Sequence, residues 1–253
     1  MCGRYAITTP PEGIRALFRY VEQPNFPPRY NIAPTQPAPI VRQERDGHGV
    51  KSRHFVLVRW GFLPGFVKDP KDFPLVINAR SETLAEKPSF RNAFRRRRCL
   101  FIADAFYEWR RPPGGARKGA PAAQPFLIRR QDGLPMALAG LWEAWSGPNG
   151  EEVETACIVT TSANGPMAAI HDRMPVIVEP DDFDRWLDCA DEHMGDVAAL
   201  MRPAPDDTLE FMPIGTAVNK VANDAPEIQA PVGPVERPAA ARPALKFARD
   251  LFE

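Results

Sequence analysis

The chain has 253 residues, of which 44% are hydrophobic and 25% are charged, a composition typical of a globular protein with a buried core. Lysine plus arginine and aspartate plus glutamate both number 32, so the formal net charge is zero and no overall basicity indicates a nucleic-acid partner. No apolar run approaches the length of a membrane span, and the first residues lack a signal-peptide pattern. We therefore expect a cytoplasmic protein without a membrane partner.

The first predicted element is a helix in TPPEGIRALFRYVEQP, residues 9–24. Thr9 and Glu12 have the spacing of a capping box, and Pro10 suits the first helical position. Apolar residues then recur at helical spacing until Pro24 ends the pattern. The predicted apolar face consists of Ile14, Leu17, Phe18 and Val21.

Beyond this helix, short apolar stretches alternate with turn residues, a pattern that predicts strands. The eight predicted strands are APIVRQ, HFVLVRWGF, LVINARS, CLFIADAFYEW, PFLIRR, MALAGLWEAW, ACIVTTSA and MPVIVE. A Pro/Gly-rich stretch at 110–124 predicts a hairpin loop, whereas EPDDFDRWLDC and DEHMGDVAALM predict helices. Many strands with few helices predict one α+β domain around a curved, barrel-like mixed β-core with peripheral helices. We place this domain at residues 1–224 and a Pro/Ala-rich tail at 225–253.

The chain begins with Met-Cys-Gly-Arg, which places a thiol one residue from the start. Removal of Met1 by an aminopeptidase, which acts when the second residue is small, leaves Cys2 with a free α-amine beside its thiol. An α-amine has a pKa near about 8, so it can form a Schiff base with an aldehyde, and the thiol can then close a thiazolidine ring. With an amide substrate the thiol is instead the nucleophile and the amine the base. A frayed terminus without function is the alternative.

Two strand-like stretches carry polar side chains suited to chemistry. In VINARSET, residues 76–83, alternation predicts Asn78, Arg80 and Glu82 on one face of a strand. Arginine suits phosphate or carboxylate, and a solvated strand edge is the alternative. In ADAFYEW, Glu108 stands among aromatic residues next to Trp109, where desolvation favours the neutral, proton-donating form of a carboxyl group. The alternative is a surface glutamate at a strand end.

In AIHDRMPVIV, His171 and Arg173 come directly before a predicted strand. An imidazole titrates near neutrality and can shuttle protons, whereas a structural histidine is the alternative. The basic run Arg95–Arg98 predicts a solvated face or turn, with a phosphate contact as the alternative. The four cysteines and four histidines show no CxxC, HExxH or zinc spacing, so we expect neither a disulfide nor a metal.

These stretches occur in an order that resembles the SRAP family (SOS-response-associated peptidase). The matching segments are MCGRY, RYNIAPT, RWGFLPGF, VINARSET, FIADAFYEW, IVTTSAN and HDRMPVIV, followed by a weaker match in MPIGTAVNKVAND. Members of this family process abasic sites in single-stranded DNA, and their fold is a single α+β domain around a curved β-core. The resemblance therefore implies single-stranded DNA with abasic sites as the partner, and we expect no cofactor.

The resemblance also implies roles for residues at matching positions. Cys2 corresponds to the cysteine that crosslinks to the abasic sugar, and Asn78 to a residue that positions the sugar and its developing oxygen. Glu108 corresponds to the acid–base group that opens the sugar ring, and His171 to a residue that assists Schiff-base chemistry. The residues expected to contact DNA are the phosphate-binding Arg80 and Arg173, the base neighbours Pro34, Trp109 and Phe66, the pocket residue Thr160, and Arg4.

The chain departs from the family pattern at two places. Phe66 and Val67 stand where the family often has tryptophan, at a place linked to wedging between bases. Phe66 retains an aromatic ring that can stack. Ala105 replaces a common glycine three residues before Glu108.

Two other functions stay open from the sequence. Glutamine amidotransferases also begin with MCG, but they usually continue with an RGPD stretch that this chain lacks. An N-terminal-cysteine hydrolase or autoprocessing peptidase that removes its own first residue belongs to the same class. A noncovalent single-strand binding module, in which Cys2 is incidental, is the second alternative. For the crosslinking protein we expect lyase-type Schiff-base chemistry, a monomer, and association with the bacterial nucleoid when it is engaged on DNA.

Overall fold

The computed structural model describes residues 2–112, 122–189 and 194–238. Its strands are β1 Tyr5–Ile7, β2 Arg29–Ile32, β3 Pro37–Arg45, β4 Lys51–Trp60, β5 Asn78–Arg80, β6 Arg98–Ala103, β7 Ala105–Arg110, β8 Gln124–Arg130, β9 Met136–Ser146, β10 Glu152–Ser162, β11 Arg173–Pro175, β12 Ile177–Val178 and β13 Leu209–Pro213. Its α-helices are α1 Pro11–Phe18, α2 Pro88–Arg96, α3 Gly165–Ala168, α4 Phe183–Leu187 and α5 Met194–Ala198. Strands dominate and the helices are short, which confirms the predicted α+β class.

Five of the strands close into a barrel. Neighbours pair in the order β10, β4, β3, β6 and β9, and β9 pairs back with β10 to complete the ring. The β4–β10 pairing is parallel and the other four are antiparallel, so the barrel is mixed. Ile40, Phe101 and Leu138 are among the fully buried side chains of its core. The predicted barrel-like mixed β-core is therefore confirmed.

A second, antiparallel sheet carries the N-terminal strand, in the order β13, β8, β7, β1, β2. The chain passes from the barrel to this sheet at Asp104, the single residue between β6 and β7. The Asp104 carboxylate accepts hydrogen bonds from the backbone N–H of Thr9 at 2.8 Å and from its hydroxyl at 2.5 Å. The predicted capping box is therefore wrong, because Thr9 bonds to Asp104 and α1 has Pro10 as its N-cap without a side-chain cap.

Helix α1 is shorter than the sequence predicts. Ile14 and Phe18 are buried as expected, but the helix ends at Phe18 because Arg19 adopts the left-handed conformation with φ of 56°. Val21 consequently lies beyond the helix and is 54% exposed, so its place on the apolar face was wrongly predicted.

The apolar face of α2, formed by Phe90, Ala93 and Phe94, is buried. The basic run Arg95–Arg98 that follows does not form one solvated face, because Arg98 is 1% exposed and begins β6. The Arg98 guanidinium donates to the carbonyl oxygens of Phe94 and Trp186, each at 2.6 Å, and to that of Asp188. The buried Arg98 side chain thus links α2 to α4 by hydrogen bonds. The prediction that Arg98 belongs to a solvated face or turn was therefore wrong.

Each of the eight predicted stretches contains strand residues, although the bounds differ. CLFIADAFYEW divides into β6 and β7 at Asp104, and MPVIVE divides into β11 and β12. LVINARS contributes only the three residues of β5. The sequence analysis missed β1, β2 and β13, which have three to five residues each. Such short strands depend on their neighbours in the sheet rather than on a pattern of their own.

Residues 225–238 lie against the second sheet. Glu236 exchanges two backbone hydrogen bonds with Phe211 of β13, at 2.8 and 2.9 Å, and Ile228 is buried. The domain boundary at residue 224 stays a prediction.

Most of the predicted hairpin loop, the start of the predicted helix at 191–201, and residues 239–253 of the predicted tail lie outside the described residues. Within those that are described, no helix is both long and apolar enough to traverse a bilayer.

Candidate active site

The N-terminal segment runs beside β7 and brings Cys2 close to Glu108. The backbone N–H of Tyr107 donates to the carbonyl oxygen of Arg4 at 3.0 Å, which fixes the segment on the strand. The Cys2 side chain is fully buried, and its Sγ lies 3.8 Å from the same carbonyl oxygen. Burial, and then the charge of Glu108, raise the pKa of the Cys2 thiol well above its usual value. The thiol is therefore protonated at neutral pH.

Asn78 connects the barrel to this segment. Strand β5 runs parallel to β10 with Asn78 opposite Ile158, so it extends the barrel sheet. The side-chain amide nitrogen of Asn78 donates to the carbonyl oxygen of Cys2 at 2.9 Å. Its Oδ1 is buried and accepts no hydrogen bond within the described part of the chain. Asn78 thus holds the Cys2 backbone with its donor and retains an unused acceptor beside it.

Glu108 is 4% exposed, although it lies near the end of a strand. It faces Phe126 of β8 in the antiparallel pair and stands between Tyr107 and Trp109 in sequence. Its charge acts on the buried thiol of Cys2, so the two groups share one desolvated region. Glu108 is therefore not a surface glutamate. We refer to Cys2, Asn78 and Glu108 as the Cys2 cluster.

His171 lies between α3 and β11. The backbone N–H of Arg173 donates to its Nδ1 at 3.0 Å, and a carboxylate oxygen of Asp172 lies 2.9 Å from the same nitrogen. A neutral ring nitrogen cannot accept from an N–H and donate to a carboxylate at once. Asp172 is 87% exposed, so water can solvate its carboxylate, whereas the backbone N–H of Arg173 has Nδ1 as its acceptor. The ring proton of neutral His171 then lies on Nε2.

Arg173 is paired with Glu82. Its Nη1 and Nη2 lie 2.6 and 2.9 Å from the two carboxylate oxygens of Glu82, and Nη2 also donates to the carbonyl oxygen of Thr160 at 2.6 Å. Glu82 does not share a strand face with Asn78, because β5 ends at Arg80 and residues 81–83 form a 3₁₀ turn. The predicted alternation through Glu82 was therefore wrong, since the turn directs this carboxylate to Arg173.

Thr160 lies between the strands that carry the two predicted phosphate-binding arginines. In β10 it is opposite Arg80 of β5 on one side and Pro175 of β11 on the other. Its side chain is fully buried, with the hydroxyl 3.4 Å from the carbonyl oxygen of Ala79. The topology thus brings β5 and β11, with their arginines, to the same edge of the barrel.

Three residues predicted to contact DNA lie at the surface. The Arg80 side chain is exposed and has no hydrogen bond or ion pair with the residues that the structure describes. Phe66 is 63% exposed and meets Phe73 edge-on, with 6.5 Å between ring centroids. Pro34 is half-buried in the turn after β2, where Thr35 has a positive φ of 73°. All three can be reached from solvent.

Arg4 and Trp109 bond instead to a C-terminal segment. The Arg4 Nη1 donates to Oδ1 of Asn31 and to the carbonyl oxygen of Val218, both at 2.8 Å. The Trp109 Nε1 donates to Oδ1 of Asn219 at 2.7 Å. The polar groups of these two residues are therefore already used within the protein.

Sequence reasoning missed Asn31, which organises this C-terminal segment. Asn31 is fully buried, and its amide nitrogen donates to the carbonyl oxygens of Val218, Lys220 and Asn223 at 3.2, 3.1 and 2.8 Å. The Asp224 carboxylate accepts from the backbone N–H of Asn31 at 2.9 Å. The carbonyl partners lie 187 to 192 positions away, so no local pattern reveals them. In the sequence, the only indication of Asn31 and Asp224 is that they end the triplets RYN and AND within the matching motifs.

A cleft of about 780 Å³ lies beside the first residues of β4, Lys51 to Arg53, and none of the predicted site residues lines it. Its charged lining includes Lys51 paired with Asp188 at 2.9 Å and Arg53 paired with Asp184 at 2.8 Å. Arg19 and Arg185 also line the cleft, so its charged lining comprises four cationic and two anionic side chains.

Comparison with known families and proteins matches most of the chain. The family described as SOS response associated peptidase (SRAP) matches residues 1–221. The abasic site processing protein YoqW of Bacillus subtilis is 34% identical over 231 residues, which cover 90% of this chain and 98% of that protein. YedK of Escherichia coli, with the same description, is 31% identical over 240 residues, covering 92% and 100%. The corresponding protein HMCES of Xenopus tropicalis is 29% identical over 267 residues, covering 92% and 78%.

Solved structures share the fold. A protein from Bacteroides thetaiotaomicron superposes with a TM-score of 0.76 at 22% identity, covering 91% of this chain and 100% of that one. A protein from Bordetella bronchiseptica gives a TM-score of 0.69 at 26% identity, covering 85% and 100%. The mixed barrel with its second sheet is therefore an architecture that other proteins adopt.

Proposed function

The chain belongs to the SOS response associated peptidase (SRAP) family, and from this membership and the Cys2 cluster we propose that it processes abasic sites in single-stranded DNA. The proposed product is a covalent thiazolidine between Cys2 and the abasic-site aldehyde. Relatives that match over most of their length are named abasic site processing proteins. The observation that carries the proposal is the arrangement around Cys2: its thiol is buried, Asn78 hydrogen-bonds to its backbone, and the buried carboxyl group of Glu108 lies close to the thiol.

The proposed chemistry begins with loss of residue 1, which frees the α-amine of Cys2. The amine adds to the aldehyde carbon of an open abasic sugar, and the carbonyl oxygen leaves as water to give a Schiff base. The thiol then adds to the same carbon, so a C–S bond forms and the thiol proton ends on the nitrogen. One water is the only by-product, so the reaction needs no cofactor, oxidant or reductant.

Each member of the Cys2 cluster has a role in this scheme. The Asn78 hydrogen bond fixes the Cys2 backbone, and with it the direction of both the amine and the thiol. Glu108 moves protons: it donates when water leaves and accepts the thiol proton when sulfur attacks. A base is needed because the thiol has a raised pKa and only the thiolate is strongly nucleophilic. His171 assists through its Nε2–H at the oxygen atoms of the sugar.

The residues outside the cluster supply the DNA groove in this proposal. Arginines on phosphates and aromatic rings on bases are the usual components of a single-strand site. Exposed Arg80 and Phe66 suit these two roles, and Trp109 and Pro34 are proposed to lie near the bases. Arg4 is better suited to anchoring the N-terminal segment, because its guanidinium is bonded within the protein.

The experiment that tests the function mixes the processed protein with a labelled single-stranded oligonucleotide that carries one abasic site. We expect a heat-stable, slower band on a denaturing gel. The same oligonucleotide reduced beforehand with borohydride lacks the aldehyde and should give no band. Cys2→Ser keeps the amine, so it should give a Schiff base that borohydride traps but little stable adduct.

The same experiment separates the other functions. A noncovalent binding module retains the DNA on a native gel but gives no denaturation-resistant band. An amidotransferase or hydrolase also gives no band. An adduct with the reduced oligonucleotide, or a full yield of stable adduct from Cys2→Ser, contradicts the thiazolidine. For the peptidase in the family description, we propose that it is limited to self-removal of residue 1. Intact mass of Glu108→Gln tests this, since retained Met1 indicates self-processing.

A further inference from the structure

The guanidinium group of Arg173 has two edges that can bind an anion with two parallel hydrogen bonds. At one edge, Nε is buried and has no hydrogen-bond partner among the described residues, while Nη2 donates to the carbonyl oxygen of Thr160 at 2.6 Å. At the other edge, Nη1 and Nη2 hold both carboxylate oxygens of Glu82. Because the first edge is closed to solvent, a phosphate can form a two-point contact with Arg173 only where Glu82 is bound.

Glu82 is the more easily moved partner of this pair. Its side chain is 51% exposed, whereas that of Arg173 is 12% exposed. Glu82 lies in the single 3₁₀ turn Ser81–Thr83, while Arg173 belongs to β11, which is paired with β10. The hydrogen bonds from Arg173 lower the pKa of Glu82 below its usual value, so the carboxylate is charged at neutral pH. An arriving anion can therefore displace the carboxylate without disturbing the strand.

We propose that Glu82 is an internal competitor of DNA: in the free protein its carboxylate occupies the phosphate position on Arg173, and a backbone phosphate of the single strand displaces it. This inference rests on the proposed function, because its ligand is a DNA strand. Glu82 then has two effects. It keeps Arg173 ordered before DNA arrives, and it weakens binding of any polyanion, since the ion pair must be broken first.

The test measures noncovalent affinity for an intact single-stranded oligonucleotide, without an abasic site, at one fixed salt concentration. Glu82→Gln should bind up to about fivefold more tightly, which is the range that exposed ion pairs allow. Glu152→Gln is the matched control, because Glu152 is an exposed residue at the opposite end of β10 from Thr160. Glu152→Gln removes the same negative charge as Glu82→Gln but does not contact Arg173, so it should leave the affinity unchanged.

An Arg173→Gln background distinguishes displacement from simple charge repulsion. If Glu82 competes for Arg173, Glu82→Gln should have almost no effect once Arg173 has been replaced. Equal tightening in both backgrounds, or weaker binding of Glu82→Gln than of the wild type, overturns the proposal. Thermal melting first establishes that the variants fold. If Glu82→Gln does not, Glu82→Asp keeps the charge but is too short for both contacts. It should also bind more tightly, and weaker binding overturns the proposal.

Adduct formation by the wild type separates this inference from the proposed function. A wild type that forms the abasic-site adduct while Glu82→Gln binds more weakly contradicts the competitor role alone. A wild type that forms no adduct contradicts the proposed function, whatever the Glu82 variants do.

Discussion

The side-chain amide of Asn78 and the backbone carbonyl oxygen of Cys2 are hydrogen-bonded at 2.9 Å across 76 positions of sequence. The bond joins the barrel edge at β5 to the segment that runs beside β7. It fixes the Cys2 backbone relative to Glu108, on which the direction of the thiol and the amine depends. The hydrogen bond that holds the Cys2 backbone in the candidate site is thus made by a neutral amide, which adds no charge to a desolvated region.

Replacing Asn78 with aspartate should slow adduct formation while the fold stays intact. The carboxylate has the same shape but cannot donate, and it would oppose the Cys2 carbonyl oxygen. We expect a loss on the order of 10- to 100-fold in the single-turnover rate at saturating DNA, because the nucleophiles are misplaced. The stability loss should be about 1–3 kcal/mol, because the Cys2 carbonyl oxygen loses its donor and a carboxylate enters a desolvated region. Asn92→Asp, on the exposed face of α2, is the control. A wild-type rate for Asn78→Asp shows that the bond is dispensable.

A chain whose first residue is retained should form no adduct. The α-amine of Cys2 is then part of a peptide bond and cannot attack an aldehyde. Protein with an uncleaved N-terminal tag should be inactive, and protease cleavage that leaves Cys2 first should restore the band. The same tag at the C-terminus is the control. Intact mass of the untagged protein should show loss of Met1. Normal adduct formation by the tagged protein rules out the amine mechanism.

Glu108→Gln should change two measurements in opposite directions. The charge of Glu108 contributes to the raised pKa of the Cys2 thiol, so its removal should shift thiol alkylation to lower pH. Adduct formation should nevertheless slow by about 10²–10⁴-fold, because the acid–base group is lost. DNA affinity should be nearly unchanged. Loss of affinity with a normal single-turnover rate assigns Glu108 a structural role instead.

The buried thiols should make the protein less stable in alkali. Burial is the leading cause of the raised pKa values of Cys2, Cys99 and Cys157. A thiol of the unfolded chain ionises near about pH 8.5. The folded state holds these protons more tightly, so their stabilisation is complete below that pH and declines above it. The decline is about 1.4 kcal/mol per pH unit for each thiol.

Urea unfolding between about pH 7 and pH 10 measures this decline. Cys157→Ala should be less stable overall but should lose stability less steeply with rising pH, by the share of one thiol. Equal slopes for wild type and Cys157→Ala contradict the assignment.

Arg80→Ala should weaken binding to single-stranded DNA and flatten its salt dependence. Each lost phosphate contact removes about 0.7 from the slope of log affinity against log salt. Because Arg80 is exposed, the melting temperature should hardly change. Arg4→Ala gives the contrast: it removes the donor to Oδ1 of Asn31 and one of the two donors to the Val218 carbonyl oxygen, and it should destabilise the fold by about 1–3 kcal/mol. An unchanged slope for Arg80→Ala places this residue outside the groove.

The sequence was informative where chemistry and local pattern coincide. Cys2, Asn78 and Glu108 each stand in a short motif, and the stretches that carry Asn78 and Glu108 are apolar enough to be predicted as strands. The break at Asp104 was not predictable, because the apolar run continues through it. What stops the run is a pair of bonds to Thr9, 95 positions earlier.

Partner choice was the part that sequence could not supply. Arg173 and Arg80 look equivalent as cations in motifs, yet one is paired with a carboxylate 91 positions away and the other is exposed. Arg4 shows the same limit, since its partner Val218 lies 214 positions along the chain. Which charges are available to a ligand depends on such distant contacts, and these leave no trace in spacing or alternation.

The 214 positions between Arg4 and the Val218 carbonyl have a consequence for the order of events during synthesis. Arg4 cannot be anchored until residue 218 has left the ribosome. At about 5–20 residues per second, the first residues therefore emerge about 10–40 s before their final partner exists. Throughout that interval Arg4 lacks its Val218 acceptor, although Asn78 and Tyr107 have already been synthesised, and an aminopeptidase can remove Met1 from the nascent chain. Removal of Met1 by an aminopeptidase can therefore precede the anchoring of Arg4, whereas self-removal of residue 1 needs the folded site and follows it.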